Sequence, residues 1–267
     1  WQATLAESNS GMPSAAEWIV LLSGLLAGAI NAIAGGGTML TFPALLAAGL
    51  PPVLANTTST IALYFGMPGS VWAFRERLKE VRAWLLPLGL VSLLGGSLGA
   101  VMLLRLPESI FETTVPWLIL FATLLFLLNE PMKRWAGQHG RHDEPERPNP
   151  VAIAFQTGVG IYSGYFGAGI GIMMLAGFSL LGLRDVHRMN ALKNLLGLLC
   201  NTAATVLFLA SGKFDLRLTL ILLIGSIPGY YLGSLVSQKI PAKVVRSIVG
   251  LVGVTIAIQL LSKQWAN

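Results

Sequence analysis

The chain has 267 residues, of which 54% are hydrophobic and only 11% charged, and its formal net charge is +6. A soluble domain usually carries about 25% charged residues. Apolar runs of about 20 residues recur along this chain and predict an all-α integral membrane protein. A β-barrel would show short segments of alternating polarity. The basic residues lie between the apolar runs, which is typical of cytoplasmic loops and excludes a nucleic-acid-binding pattern.

The chain begins with a polar segment, residues 1–16, that lacks the basic start of an intact signal peptide. An apolar segment follows at residues 17–50, and the sequence NAIAGGGTMLTFP interrupts it at residues 31–43. One straight helix of this length would measure about 50 Å, more than the hydrocarbon core of about 30 Å. The segment is therefore either one long kinked span or two short helices that form a hairpin.

Three consecutive glycines break this segment at residues 35–37. Glycine disfavours a helix interior, and lipid cannot satisfy the backbone groups of a hairpin tip, so the tip must face protein or a water-filled cavity. Free N–H groups at the start of the next helix would bind an anion. Gly35, Gly36, Gly37 and Thr38 are therefore candidate anion-binding residues; the alternative is that the glycines only permit close helix packing.

The following apolar runs predict three uninterrupted transmembrane helices at about residues 55–74, 83–104 and 109–129. The first of them opens with the sequence ANTTST at residues 55–60, where Asn56, Ser59 and Thr60 share one helical face. We expect Asn56, Thr57 and Ser59 to donate hydrogen bonds to the same ligand.

A hydrophilic stretch rich in Pro, Gly and charge, residues 131–150, joins two similar halves. Motifs of the first half recur in the second at an offset that starts at 132 (167 − 35) and settles at 134 (190 − 56), so the chain is a duplication. The second half has its own broken segment, with Gly167, Ala168 and Gly169 at the break. The predicted organisation is a polar segment (1–16), a first transmembrane repeat (17–130), the linker (131–150) and a second repeat (151–267) with a broken segment at about 151–183 and spans at about 189–211, 216–238 and 243–262.

Polar residues inside the second half extend the candidate site. Asn190, Lys193 and Asn194 repeat the spacing of the first polar face, and Lys193 is the only charged side chain well inside a predicted span. Such a lysine is a functional-site hypothesis by default, although it could also snorkel to the interface. His187, at a span entrance, is a candidate proton switch, against the simpler interpretation of a solvated loop histidine. No Asp or Glu lies deep in a span and Cys200 is the single cysteine, so we predict no metal, cofactor or disulfide.

The loop charges favour the hairpin over the kinked single span. With three net crossings per half, most basic residues gather on one side, which would be cytoplasmic together with the linker 131–150, and the N-terminus lies outside. An odd number of crossings inverts the second half relative to the first. The predicted fold is therefore two inverted structural repeats, each a Gly-broken helical hairpin plus three transmembrane helices, with Gly95, Gly99, Gly229 and Gly233 in helix contacts.

The stretches AGAINAIAGGGTMLTFPALLAAGLPPVLANTTST and GYFGAGIGIMMLAGFSLLGLRDVHRMNALKN resemble the TauE/SafE sulfite exporter family over nearly the whole chain. The resemblance implies a secondary transporter, and an exporter, of sulfite or a related organosulfonate or sulfur oxyanion in the cytoplasmic (inner) membrane. The residues themselves indicate only an anion. The halves differ at Ala168, which replaces the middle glycine, and at Lys193, which stands where the first half has Ser59, so the charge would come mainly from the second repeat.

These features together predict alternating access between the repeats around a small sulfur anion, held by the two glycine tips, the polar side chains and Lys193. The expected partners are that anion and the lipid bilayer; a homo-oligomer is left open. An anion channel of the same architecture is one alternative. A membrane enzyme of sulfur or lipid metabolism is another, although it would need paired His, Cys or carboxylate groups at a membrane face. A structural subunit, with the polar stripes as interhelical contacts, is the third.

Overall fold

The computed structural model describes residues 14–33, 36–128 and 145–236, together with positions 254, 255, 258 and 262. Regular structure in these ranges is helical, which confirms the predicted all-α class. Most of the linker 131–150 and the predicted last span, 243–262, lie outside the described residues. The helices are α1 (Ala15–Ile33), α2 (Thr38–Ala47), α3 (Pro52–Tyr64), α4 (Met67–Ala73), α5 (Arg75–Leu78), a 3₁₀ turn (Lys79–Val81), α6 (Arg82–Arg105), α7 (Glu108–Leu127), α8 (Pro150–Tyr165), α9 (Ile170–Leu180), α10 (Val186–Ser211) and α11 (Leu216–Val236).

Local side chains explain where several helices begin. Ser14 and Glu17 form a capping box on α1: the Ser14 backbone N–H donates to Glu17 Oε2 at 2.9 Å, and the Glu17 N–H donates to Ser14 Oγ at 3.3 Å. The Asn149 side chain accepts the Ala152 N–H at the start of α8, and Asp185 accepts two N–H groups at the start of α10.

Five of the described helical stretches are long and apolar enough to cross a membrane. The helices that follow the two breaks, α2 and α9, have only 10 and 11 residues, about 15–17 Å of rise, so neither can cross a hydrocarbon core of about 30 Å. Each predicted broken segment is thus one longer helix followed by one short helix. The five stretches are Ala15–Ala32, Arg75–Arg105, Glu108–Leu125, Val186–Ser211 and Leu216–Gly233.

The predicted uninterrupted span at 55–74 is wrong, because this region contains two helices. α3 ends at Tyr64, a turn follows, and α4 begins at Met67. Pro68 has no N–H to donate to the Tyr64 carbonyl four residues earlier, so the helical hydrogen-bond pattern is interrupted there. The Gly66 N–H closes a turn before this point by donating to the Leu63 carbonyl at 3.2 Å. The break separates the polar face of α3 from the short helices that lead to α6.

Among the described helices, the two most extensive contacts each join one helix from each half: α1 packs on α11, and α6 packs on α8. Glycines allow this close approach, as a Cβ on Gly28 would lie 2.3 Å from the Ser226 carbonyl oxygen and one on Gly99 would lie 2.0 Å from that of Ile161. The predicted packing role of four glycines is confirmed. Gly95 and Gly99 of α6 pack against α8, and Gly229 and Gly233 of α11 pack against α1. In both pairs the contacts advance in the same order along the two helices, so each pair runs parallel.

Polar contacts define two ends of the helix bundle. At one end, called the Glu17 end, Arg217 Nε lies 2.6 Å from Glu17 Oε1 and joins the start of α11 to the start of α1. At the other end, the Glu80 end, Arg188 Nε lies 2.7 Å from Glu80 Oε2 and joins the start of α10 to the segment before α6. α1 and α11 therefore start at the Glu17 end, and α6 and α10 start at the Glu80 end.

An aromatic core brings the two breaks together. Phe42 of α2 packs edge-on against Phe166, which follows α8 at the second break, with ring centroids 5.5 Å apart. Phe111 of α7 packs against the same two rings. All three side chains are almost fully buried, so the start of α2 and the second break are held in one part of the fold.

Candidate functional site

A cavity of about 70 Å³ lies between the two halves at these breaks. Five of the predicted site residues line it: Gly36 and Thr38 from the first half, and Gly167, Lys193 and Asn194 from the second. The other polar residues of its wall are Asn31, Thr60, Ser70, Asn201 and Tyr230, and Leu63, Met67, Ile170 and Met174 supply apolar surface.

Two helix N-termini face this cavity. Thr38 is the first residue of α2, and Ile170 and Gly171 are the first two residues of α9; all three line the wall. The first N–H groups of a helix have no acceptor within that helix, and they carry a partial positive charge. Helix starts of this kind can bind a small anion wherever their N–H groups have no other acceptor.

Glycine is required at the turns that aim these helices. Gly36, Gly167 and Gly169 have φ values of +114°, +80° and +78°, in a region where a side chain would be strained. The breaks are thus built from backbone conformations that few other residues adopt.

At the first break, the Asn31 side chain occupies the backbone donors. Asn31 Oδ1 accepts the N–H groups of Gly36 at 2.9 Å and Gly37 at 2.7 Å, while Asn31 Nδ2 donates to the Tyr230 hydroxyl at 2.9 Å. The expectation of free N–H groups at this tip is therefore wrong for Gly36 and Gly37, because an internal acceptor bonds them. Gly35, the remaining glycine of the tip, lies outside the described residues.

The second break is held differently. The Tyr162 hydroxyl donates to the Ala168 carbonyl at 2.8 Å, and the Gly167 N–H donates to the Tyr162 carbonyl at 3.1 Å. Gly167 lines the cavity. Ala168 is fully buried, and Gly169 lies beside Ala122, so these two residues shape the turn behind the wall.

One face of α10 supplies the charge of the site. Among the described residues that line the cavity, Lys193 is the only one with a formal charge, and Asn194, Gly197 and Asn201 lie beside it on the helix. Lys193 is 8% exposed and is the eighth residue of a helix of 26 residues, about 10 Å from its start. Lys193 is therefore buried in the wall of the cavity and lies two turns inside its helix.

Besides Gly37, Ala168 and Gly169, four predicted site residues with polar side chains do not line the cavity, and these side chains make other contacts. Asn56 Nδ2 donates to the Tyr165 carbonyl at 3.1 Å, and the Thr57 hydroxyl donates to the Lys213 carbonyl. The Ser59 hydroxyl lies 2.6 Å from that of Thr41, and Asn190 Nδ2 donates to Val186 of its own helix at 2.9 Å. Asn56, Thr57 and Ser59 thus join α3 to neighbouring elements.

His187 lies at the exposed start of α10, outside the cavity wall. Its backbone N–H donates to Asp185 Oδ1 at 2.7 Å. The backbone N–H groups of Arg188 and His187 hold the pKa of the Asp185 carboxyl below its usual range. Asp185 is therefore a charged helix cap at neutral pH.

Asn31 and Tyr230 were not predicted as site residues. Asn31 directly precedes the first break, which was the available signal in the sequence. Tyr230 has no such signal, because its equivalent in the first half at an offset of 134 is Gly96. Its place depends on Gly66, where a Cβ would lie 2.2 Å from the Tyr230 ring.

Comparison with known proteins identifies relatives over most of the chain. The family profile described as "Sulfite exporter TauE/SafE" matches residues 20–260. The "probable membrane transporter protein ORF9" of Sinorhizobium sp. is 29% identical, with 91% of each chain aligned. A "probable membrane transporter protein" of Haemophilus influenzae is 31% identical over 81% of this chain and 83% of its own. The Escherichia coli K12 protein YfcA, also named a probable membrane transporter, is 26% identical over 91% of this chain and 88% of its own. No solved structure shows significant similarity to the chain.

Proposed function

Because the chain belongs to the TauE/SafE sulfite exporter family, we propose that it is a secondary transporter that carries sulfite, or a related sulfur oxyanion or organosulfonate, across the cytoplasmic membrane by alternating access. The relatives named above are described as membrane transporters. The family name supplies the substrate class, and the cavity supplies the chemistry that such a substrate needs.

The observation that carries this proposal is the convergence of two helix N-termini and one lysine on a single cavity. α2 and α9 belong to different halves of the chain, and both start at the wall that contains Lys193. Backbone donors at two helix starts and an ammonium group together favour a small anion over a cation or a neutral solute.

The size of the cavity agrees with a small substrate. About 70 Å³ is far below the roughly 300–1,000 Å³ of pockets that hold drug-sized ligands. An oxyanion of a few heavy atoms suits this space, whereas a lipid does not. The lining residues Lys193 to Asn201 lie near the middle of α10, where a transporter that alternates its access would hold its substrate.

Helix directions support an inverted relation between the halves. α1 opens the first half at the Glu17 end, whereas α8 runs parallel to α6 and opens the second half at the Glu80 end. The equivalent helices α1 and α8 therefore run in opposite directions. The reciprocal pairs, α1 with α11 and α6 with α8, are the packing expected of two swapped, inverted repeats.

The charge distribution supports an orientation with the Glu80 end in the cytoplasm and the N-terminus outside. The Arg188–Glu80 ion pair places Arg188 on the same side as the segment before α6, as three net crossings per half require. Among the described residues, the basic residues at the Glu80 end are Arg75, Arg77, Lys79, Arg82, Arg147, Arg184 and Arg188, and those at the Glu17 end are Arg105, Lys213 and Arg217.

Sulfite flux into proteoliposomes tests the proposal. Wild-type protein should give saturable flux, and Lys193→Met should reduce it at least tenfold because the anion loses its cation in a site of low dielectric. Lys193→Arg should retain part of the flux. Lys79→Met, at an exposed lysine on the Glu80 end, is the matched control and should behave as wild type.

Each outcome has a distinct meaning. Flux that rises linearly with sulfite would indicate a channel. Flux that is unaffected by Lys193→Met would exclude the lysine from the site, and absence of flux for sulfite, thiosulfate and taurine alike would reject the proposed substrate class.

A further inference from the structure

We call the backbone of Gly36 and Gly37 at the first break the first tip, and that of Gly167, Ala168 and Gly169 at the second break the second tip. A side-chain oxygen already accepts hydrogen bonds from the backbone N–H groups of the first tip. Asn31 Oδ1 accepts two N–H bonds, at 2.9 Å from Gly36 and 2.7 Å from Gly37. Two convergent N–H groups at a helix start are the arrangement that binds one oxygen of an anion. The carbonyl oxygen of Asn31 therefore lies where a substrate oxygen would bind at this tip.

Neighbouring contacts hold the Asn31 amide in this orientation. Asn31 Nδ2 donates to the Tyr230 hydroxyl at 2.9 Å, and that hydroxyl donates to the Leu63 carbonyl at 3.4 Å. The backbone of Gly66 lies directly against the Tyr230 ring. Because Nδ2 faces the tyrosine, Oδ1 faces the two backbone donors. We call the hydrogen-bonded pair of Asn31 and Tyr230 the plug.

The second tip has no equivalent of the plug. The residue that matches Asn31 at the offset of 132 is Ser163, whose buried hydroxyl bonds none of the described backbone N–H groups at the second tip. Gly96, the equivalent of Tyr230, has no side chain. The start of α9, where Ile170 and Gly171 line the cavity, therefore has no asparagine acceptor of the kind that Asn31 provides at the start of α2.

We propose, on the basis of the proposed function, that the Asn31 side chain competes with the substrate anion for the backbone N–H groups of Gly36 and Gly37. The anion binds first at the start of α9 beside Lys193, and one of its oxygens reaches the first tip only after Asn31 Oδ1 has left the Gly36 and Gly37 donors. Asn31 thereby lowers the affinity of the site and determines which tip the anion meets first.

Two substitutions at the same position separate competition from a structural role. Asn31→Ala removes the competing oxygen and leaves the Gly36 and Gly37 N–H groups available to the anion. Because each hydrogen bond contributes only a modest net free energy, anions should bind roughly three- to tenfold more tightly. Asn31→Asp keeps an acceptor at both donors, and adds a negative charge beside the site, so anion binding should be lost while the fold is retained. Ser163→Ala, at the equivalent position of the other half, is the matched control and should leave affinity unchanged.

The measurement is titration calorimetry on purified protein with sulfite, thiosulfate, sulfate and taurine, accompanied by a thermal unfolding midpoint for each variant. Tighter binding in Asn31→Ala with loss of binding in Asn31→Asp supports the competitor. Weaker or unchanged binding in Asn31→Ala overturns it, even if wild-type sulfite flux is normal and the proposed function stands. If the pattern holds for other anions but sulfite neither binds nor is transported, the competitor stands and the proposed substrate fails. Absence of binding of any anion to any variant overturns both.

Discussion

Adjacent polar residues on one face of α3 have different surroundings in the structure. Thr60 lines the cavity, whereas Asn56, one turn earlier, bonds the carbonyl of Tyr165 at the end of α8. Helical spacing predicts that such residues share a face. It does not predict which neighbouring element each of them meets along that face.

The contact of Asn56 leads to a prediction that distinguishes helix bridging from ligand binding. Asn56 is 1% exposed, and Asn56→Ala would remove its part-buried hydrogen bond to the Tyr165 carbonyl, at a cost of about 0.5–1.5 kcal/mol. We expect a lower thermal unfolding midpoint with the KM for transport unchanged. Asn194→Ala, at the cavity wall, should instead raise KM with little change in the midpoint.

The equivalent residue of the other half provides the control. Asn190 bonds within its own helix, so Asn190→Ala should have the smallest effect on stability. If Asn56→Ala raises the KM for transport and leaves the thermal unfolding midpoint unchanged, Asn56 contacts the substrate and does not merely join helices.

Some residues of the cavity wall can be predicted from the sequence because a local rule identifies them. The triple glycine predicts a break, which places Gly36 and Thr38 at a helix start, and a charge in an apolar helix identifies Lys193. Tyr230 could not be found this way. Its hydroxyl reaches Asn31, 199 positions away in the chain, only because α1 and α11 pack closely enough for the contact.

At the scale of helices, small residues set the distances between the halves. The backbones of α6 and α8 approach so closely that a Cβ on Gly99 would lie 2.0 Å from the Ile161 carbonyl oxygen and 2.7 Å from the Tyr165 nitrogen. In a membrane such packing replaces the hydrophobic effect as the force that joins helices. Gly164 makes the reciprocal approach from α8 to α6.

Gly99→Ala should therefore separate α6 from α8. The added methyl group meets backbone atoms, which cannot rotate away, and overpacking of this kind costs about 1–3 kcal/mol or more. The expected result is a lower thermal unfolding midpoint and a large loss of transport. Gly158→Ala on α8 is the matched control, because a Cβ there meets nothing within 4 Å and alanine favours the helix by roughly 0.5–1 kcal/mol. Equal effects of the two substitutions would show that helix propensity, and not contact, determines the result.

Helix class and the two glycine breaks follow from hydropathy and glycine spacing, but the turn between α3 and α4 does not. Its signals are Gly66 and Pro68 in a run that is otherwise apolar, and a single proline is often tolerated inside a membrane helix. Pro87 and Pro116 lie inside α6 and α7 without ending them. Whether a proline ends a helix depends on what satisfies the freed carbonyl, and that is a property of the packed structure.

At the scale of the whole molecule, the proposed repeat would account for both the symmetry and the asymmetry of the candidate site. The duplicated order of helices places two helix starts at one cavity, while substitutions at single positions make the two sides unequal: Asn31 against Ser163, and Ser59 against Lys193. An inverted pair of repeats would interchange its two conformations to move the cavity from one side to the other. The unequal side chains would then give the substrate a preferred order of contacts.

The proposed inverted arrangement predicts which loops are accessible from outside the cell. Cys200 is the single cysteine and is buried, so single cysteines can be introduced and labelled in intact cells with a maleimide that does not cross the membrane. Lys213→Cys, at the Glu17 end, should be labelled directly. Lys79→Cys and Arg184→Cys, both assigned to the Glu80 end, should be labelled only after the membrane is opened.

Arg184→Cys is the decisive position among the three. If the broken segment were one kinked crossing, each half would cross four times, and Arg184 would lie on the opposite side from Lys79. Because Arg188 bonds Glu80 across the halves at 2.7 Å, we expect the two cysteines to behave alike. Labelling of Arg184→Cys but not Lys79→Cys from outside would reject the inverted arrangement, whereas the reverse accessibility of all three positions would preserve the fold and exchange its cytoplasmic and external ends.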